Sequence, residues 1–162
     1  MAKVWEYLFL NGEFAPRAHI LAGLTLAQVG ARPAGAPHSI YEELWHTEMW
    51  QRIVLERDAA ATRLWEDDVL FPPQAAPPDL PSWQELVGAF LASSERAVEL
   101  SQDEAWLDTP QGADNPGFTW RDALSQLAVH NAYHLGRIVL LRQLLGCWSP
   151  FPKPPLADDV DP

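Results

Sequence analysis

The stretch TWRDALSQLAVHNAYHLGRIVLLRQLLG, residues 119–146, decides the fold of this chain. Thr119 followed three residues later by Asp122 predicts a capped helix start, and Gly146 predicts the helix end. Between them the apolar residues recur at the spacing of an amphipathic helix. The inward arc comprises Ala123, Leu124, Leu127, Ile138, Leu141 and Leu145. A long helix with such an arc must pack against other helices.

Two histidines, His130 and His134, stand four residues apart at the edge of this arc. Residues at that spacing lie one above the other on the same face of a helix. The pair therefore offers two imidazoles in one direction, which is a common way to provide two ligands to a metal ion. A third ligand would have to come from elsewhere in the chain.

A second helix supplies a candidate for that ligand. Ser39-Ile40-Tyr41-Glu42 has the pattern of a capping box and predicts a helix from there to about Arg57 or beyond. His46 lies at the middle of its apolar arc, so we expect this side chain to point inward. The other residues of the arc are Trp45, Met49, Trp50 and Ile53.

The remaining segments predict an all-α fold, a four-helix bundle with long connections. Ser82-Trp83-Gln84-Glu85 predicts the start of a helix that runs to about Ser101, and residues 4–24 predict a broken first helix. Five prolines in residues 71–81 predict an extended crossover. We expect one domain over residues 1–148 and a Pro-rich acidic tail over residues 149–162.

Composition excludes several classes of function. The net charge of −11 over 162 residues disfavours binding to a phosphate backbone, so nucleic acid is not an expected partner. No stretch approaches the ~18 uncharged apolar residues of a membrane span, and the N-terminus lacks a signal peptide pattern. We therefore expect a cytoplasmic protein. A single cysteine, Cys147, excludes an intrachain disulfide and a zinc site built from cysteines.

The three inward histidines have two interpretations. A histidine on an apolar arc is usually a buried ring that is hydrogen-bonded to a neighbouring helix. Three such rings on two helices favour a metal site, because each buried imidazole otherwise needs polar partners of its own. From spacing alone, both interpretations of His46, His130 and His134 stay open.

The two helices that carry these histidines resemble the signature helices of the DinB-like superfamily (YfiT/DinB), which comprises damage-inducible and thiol-transferase-like metalloproteins. The resemblance rests on HSIYEELWHTEMW (38–50) and on the opening stretch (119–146), and it includes LTLAQVGARPAGAPHSI (24–40) and the Trp83 helix. It covers nearly all of residues 20–148. The HxxxH motif followed by GxIVLLR is its most specific part.

The resemblance implies a homodimeric four-helix bundle that holds one divalent metal ion on His46, His130 and His134. Zn, Ni, Fe and Mn all suit three imidazoles. Such a site leaves open positions, which is typical of a catalytic centre. Superfamily members of known activity use a low-molecular-weight thiol, so a thiol-dependent S-transferase acting on a small molecule is the first expectation. The alternatives are a metal-dependent hydrolase, a non-catalytic metal-binding protein of the stress response, and a structural dimer with core histidines.

Five further residues are candidates for the surroundings of the site. Glu43, one turn before His46, could hydrogen-bond a ligand ring or be a solvated charge. Trp50 could line a pocket or belong to the core, and Arg137 could pair with an anionic substrate or with an acidic neighbour. Glu13 and His19 could supply a fourth ligand or a general base, or lie on the surface.

Overall fold

Helices make up most of the computed structural model, which describes residues 2–12 and 14–151. Within those ranges no β-strand occurs, and the only β-type pairing is an isolated bridge between Pro110 and Thr119. The predicted all-α fold is confirmed. The helices are α1 (Ala2–Glu6), α2 (Arg17–Leu21), α3 (Leu26–Gly30), α4 (Ile40–Gln51), α5 (Ala59–Glu66), α6 (Leu80–Leu100), α7 (Glu104–Leu107) and α8 (Trp120–Leu144).

The three longest helices, α4, α6 and α8, form the bundle together with a broken N-terminal helix. That fourth member consists of α1, a π-helical segment (Tyr7–Asn11) and α2. Helix α4 packs against both α6 and α8. The core has two parts, one around Leu44, Phe90, Leu135 and Ile138 and the other around Phe9, Ala97, Leu107 and Leu124. In the described ranges, no helix is both long enough and apolar enough to cross a membrane.

The predicted capping boxes of α4 and α8 are both present. The Ser39 hydroxyl accepts the Glu42 N–H at 3.2 Å, and the Glu42 carboxylate accepts the Ser39 N–H at 2.7 Å. Thr119 and Asp122 exchange the equivalent bonds at 3.3 and 2.9 Å. These boxes fix where each helix begins and therefore the directions in which its histidines point.

The predicted start of α6 at Ser82 is wrong. The helix begins at Leu80, and Asp79 is the cap, since its carboxylate accepts the Ser82 N–H at 2.8 Å. Pro81 lies in the first turn, where a residue without an N–H costs no helical hydrogen bond. The proline-rich connection is therefore shorter than the sequence predicted.

The sequence predicted one unbroken helix to about Arg57 or beyond, and it did not predict α5 as a separate helix. The chain continues from α4 through a π-helical segment (Arg52–Glu56) and turns at Arg57, whose φ is 51°. The Asp58 carboxylate then accepts the N–H groups of Ala60 and Ala61 and starts α5. The short helices α3 and α7 were also not predicted.

Candidate metal centre

The structure brings the side chains of His46, His130 and His134 together between α4 and α8. Their potential ligand atoms all lie within 4.8 Å of one another. The Nε2 atoms of His46 and His130 are 3.1 Å apart, and the ring centroids are separated by 4.5 to 5.0 Å. His46 and His134 are buried, whereas His130 is partly exposed. The cluster therefore opens on the side of His130.

The orientation of His46 is fixed by the backbone of the crossover between α5 and α6. Its Nδ1 lies 2.8 Å from the carbonyl oxygen of Leu70. Because a carbonyl can only accept a hydrogen bond, Nδ1 carries the proton and Nε2 presents a lone pair. That lone pair is directed at His130.

The orientation of His134 is fixed by Glu43, which is completely buried on α4. The Glu43 Oε2 atom accepts a hydrogen bond from His134 Nδ1 at 2.6 Å. A carboxylate in this position fixes the tautomer of a metal-binding imidazole and raises its basicity. The Nε2 atom of His134 is thereby left free to bind a ligand.

Glu43 also interacts with two further cationic or titratable groups. Its Oε1 atom lies 2.8 Å from the Arg137 guanidinium and 3.2 Å from His38 Nδ1. Burial acts to raise the pKa of Glu43, but the hydrogen bond from His134 and the charge of Arg137 outweigh it and hold this pKa below its ordinary value. The buried carboxylate is therefore ionised at neutral pH.

The imidazoles of His46 and His130 are neutral at neutral pH. Burial lowers the pKa of His46. Burial, together with the neighbouring His134 and His46, lowers the pKa of His130 to about 4. Neutral imidazoles are the form that binds metal ions.

The donor set fits a divalent cation. Two nitrogens bound at roughly 2.0–2.1 Å to one tetrahedral ion would be about 3.3 Å apart, close to the 3.1 Å between the Nε2 atoms of His46 and His130. With His46 Nε2 as the acceptor, the His130 Nε2–H donates the hydrogen bond between them, and a cation at this position would replace that proton. The arrangement is compatible with metal binding.

The sequence profile of the DinB superfamily matches residues 17–138 of the chain. The chain belongs to the DinB superfamily. The matched region contains all three histidines, Glu43 and most of the helical bundle. Searches of curated proteins and of solved structures gave no match.

Around the histidines of this DinB-superfamily chain lies a layer of aromatic rings. Phe71 stacks between His38 and His46, with centroid distances of 3.7 and 4.7 Å. The Trp50 ring packs edge to face against the rings of His46 and His130, with centroid distances of 6.5 and 5.8 Å. These rings exclude water from one side of the cluster and strengthen its electrostatic interactions.

The structure separates the other predicted site residues into two groups. Glu43 and Trp50 contact the histidines directly, and Arg137 forms the ion pair with an acidic neighbour that was the alternative to binding an anionic substrate. His19 lies elsewhere, because its Nε2 is 2.7 Å from the Ser149 carbonyl oxygen and its ring packs on Phe151. It is therefore no candidate ligand or base. Glu13 lies outside the described residues, as do residues 152–162 of the predicted tail.

Sequence reasoning missed three contributors to the site. His38 was not among the candidate site residues, but it is partly buried between Glu43 and Phe71. Its position five residues before Glu43, at the start of α4, was a signal that could have identified it. The contacts of Leu70 and Phe71 have no signal in the sequence, since an irregular crossover brings them to His46.

Proposed function

We propose that this DinB-superfamily chain is a metal-dependent enzyme that transfers a low-molecular-weight thiol to a small-molecule acceptor. The observation that carries the proposal is the convergence of His46, His130 and His134, with two of the three rings held by hydrogen bonds at Nδ1. Three histidine nitrogen ligands that leave coordination positions open are typical of catalytic metal sites.

The chain provides the geometry for this chemistry. Glu43 orients His134, the Leu70 carbonyl orients His46, and the partly exposed His130 faces the side from which a substrate can enter. A divalent ion held there would lower the pKa of a thiol or a water molecule near neutral pH. Zn, Ni, Fe and Mn are the candidate ions.

The thiol has to come from a cosubstrate. Cys147 is the single cysteine. It follows the end of α8, about three helical turns beyond His134, so it does not belong to the cluster. In the transfer, the S–H proton passes to solvent and the sulfur forms a bond to an electrophilic carbon of the acceptor. The bond from that carbon to the leaving group breaks, and the leaving group takes the electron pair.

Metal binding is tested by loading the protein with Zn, Ni, Fe or Mn in turn and measuring the bound metal by elemental analysis. We expect one equivalent per chain, and a loss of tight binding in His46→Ala, His130→Ala and His134→Ala. His19→Ala is the control, because the His19 ring contacts Ser149 and Phe151 and not the cluster, so this variant should retain the metal. A wild-type protein that binds none of the four ions would contradict the proposal.

Turnover is tested with the metal-loaded protein, an electrophilic chlorinated dinitrobenzene, and bacillithiol, mycothiol or glutathione as the thiol. Saturable formation of the thioether, absent in His130→Ala, supports an S-transferase. Metal-dependent hydrolysis without any thiol would replace this proposal with the hydrolase alternative. Bound metal without turnover of either kind would instead favour a non-catalytic metal-binding protein.

A further inference from the structure

A cavity of about 470 Å³ adjoins the three-histidine cluster. Its walls come from four parts of the fold, namely α4 with its π-helical segment, α5, the loop before α8, and α8 itself. His130 forms part of the wall, and so does Trp50, whose ring packs edge-on against both His46 and His130. The volume is within the range of pockets that bind small molecules, about 300–1,000 Å³.

The lining of this cavity is apolar and uncharged. Trp50, Trp65 and Phe118 supply three aromatic faces, and the polar groups besides His130 are those of Thr62, Gln111 and Gln126. Of the described residues that line it, none is Asp, Glu, Lys or Arg. An anionic group placed between Trp50, Trp65 and Phe118 would lose its hydration without gaining a cationic side chain, which is costly. The net charge of −11 adds to this discrimination against anions.

The walls of the cavity are held by contacts that do not depend on a ligand. The rings of Trp50 and Trp65 meet edge to face at a centroid distance of 6.2 Å. In the loop, the Gln111 N–H donates to the Phe118 carbonyl at 2.9 Å. Arg57 donates to the Gln111 carbonyl and lies over the Trp120 ring. A preformed cavity loses little conformational entropy when a ligand binds.

We propose that this cavity binds the acceptor substrate and that the acceptor is a neutral, largely apolar small molecule. That the bound molecule is the acceptor substrate rests on the proposed function, whereas its binding to the cavity can be measured without turnover. An aromatic or aliphatic body would occupy the space between Trp50, Trp65 and Phe118. Its reactive carbon would then lie at the His130 side, next to the open face of the cluster.

The selectivity is tested by calorimetric titration of the metal-free protein, in which no cation lies beside His130, with two probes of similar shape, 1-naphthalenemethanol and 1-naphthalenesulfonate. We expect the neutral probe to bind at least about tenfold more tightly, a difference of ~1.4 kcal/mol. Equal affinities, or tighter binding of the sulfonate, would overturn the proposal.

The location is tested with Trp65→Ala, which removes one aromatic wall from a half-exposed position and is expected to weaken binding of 1-naphthalenemethanol about tenfold. Phe14→Ala is the matched control, since Phe14 is an exposed aromatic residue that does not line the cavity. Loss of binding in both variants, or in neither, contradicts the assignment.

Gln126→Lys adds a cation at the rim of the cavity and should increase the affinity for 1-naphthalenesulfonate. An unchanged affinity for the sulfonate would also contradict the assignment.

The same titration on His134→Ala separates this proposal from the proposed function, because His134 belongs to the three-histidine cluster but does not line the cavity. If the protein binds no metal or has no thiol transfer activity, but 1-naphthalenemethanol still binds in a manner that depends on Trp65, the enzyme proposal fails and the cavity assignment stands. If turnover occurs while the neutral probe shows no preference over the sulfonate, the cavity assignment fails and the enzyme proposal stands.

Discussion

At the scale of single residues, Glu43 connects the three-histidine cluster to the rest of the protein. It is completely buried, and its two oxygens interact with His134, Arg137 and His38. A buried carboxylate is stable only if such partners compensate for its lost hydration. Glu43 therefore fixes the His134 ring, and Arg137 in turn keeps Glu43 ionised.

We predict that Glu43→Gln weakens metal binding about 10- to 100-fold, because a neutral amide fixes the imidazole less firmly and makes its Nε2 less basic. The measurement is a competition titration against a chromophoric chelator. Glu48→Gln is the matched control, since Glu48 is also a buried carboxylate on α4, where its nearest charged partner is Arg52 at 3.8 Å. Similar losses of affinity in both variants would show that Glu43 has no special relation to the metal centre.

At the scale of secondary structure elements, the N-terminus of α4 determines the direction of His46. Glu42 closes the capping box with Ser39 and accepts a hydrogen bond from Arg32 Nε at 2.8 Å. The Ser39 hydroxyl also donates to the Ala75 carbonyl at 2.5 Å and so ties the helix start to the crossover. Although burial favours the neutral acid, the bonds from Arg32 and Ser39 hold the pKa of Glu42 below its ordinary value of 4.5.

We predict that Glu42→Gln lowers the free energy of unfolding by about 1–2 kcal/mol at pH 7. A carboxyl group whose pKa is lower in the folded state stabilises the protein above its unfolded pKa, and this contribution is lost as the pH falls. The difference in the free energy of unfolding between wild type and variant should therefore have its largest value above pH 4.5 and decrease below that pH.

Urea unfolding between pH 7 and pH 3 measures this dependence on pH. Glu85→Gln is a suitable control because Glu85 is exposed on α6, and its variant should differ little from wild type throughout. A Glu42→Gln effect that stays constant as the pH falls would contradict the role of the ionised carboxylate.

At the scale of the whole molecule, α8 presents an apolar stripe to solvent on the side opposite the core. It consists of Val129, Tyr133, Leu140 and Leu144, whose exposed fractions are between 53% and 71%. At 100° per residue these four lie within an arc of about 60°, with Ala132 and Gly136 beside them. A continuous apolar stripe of this kind is a common feature of interfaces between subunits.

We predict that the chain forms a homodimer through this stripe. Leu140→Glu should convert the dimer to a monomer, because it would bury one unpaired carboxylate from each subunit in the interface, which is unfavourable. Analytical ultracentrifugation at micromolar concentration measures the mass. Val4→Glu is the control, as Val4 is similarly exposed on α1 but lies off the stripe. A wild-type monomer at this concentration would contradict the prediction.

The sequence alone determined the helices that carry the histidines and the faces on which those histidines lie. The capping boxes at Ser39 and Thr119 are contacts over three residues, and the shared face of His130 and His134 follows from the helical repeat. Such features depend on local backbone geometry, so they can be read from spacing. The start of α6 was misplaced because both Asp79 and Ser82 are residue types that favour the N-cap position, and they lie only three residues apart.

Only the tertiary structure decided what surrounds the cluster. The Glu43–His134 bond joins residues 91 positions apart, and the Leu70–His46 contact depends on the path of an irregular crossover. The cavity depends on α5, whose start follows the left-handed turn at Arg57 and whose Trp65 then meets Trp50. These contacts arise from the packing of separate segments, and residue spacing within one helix contains no information about them.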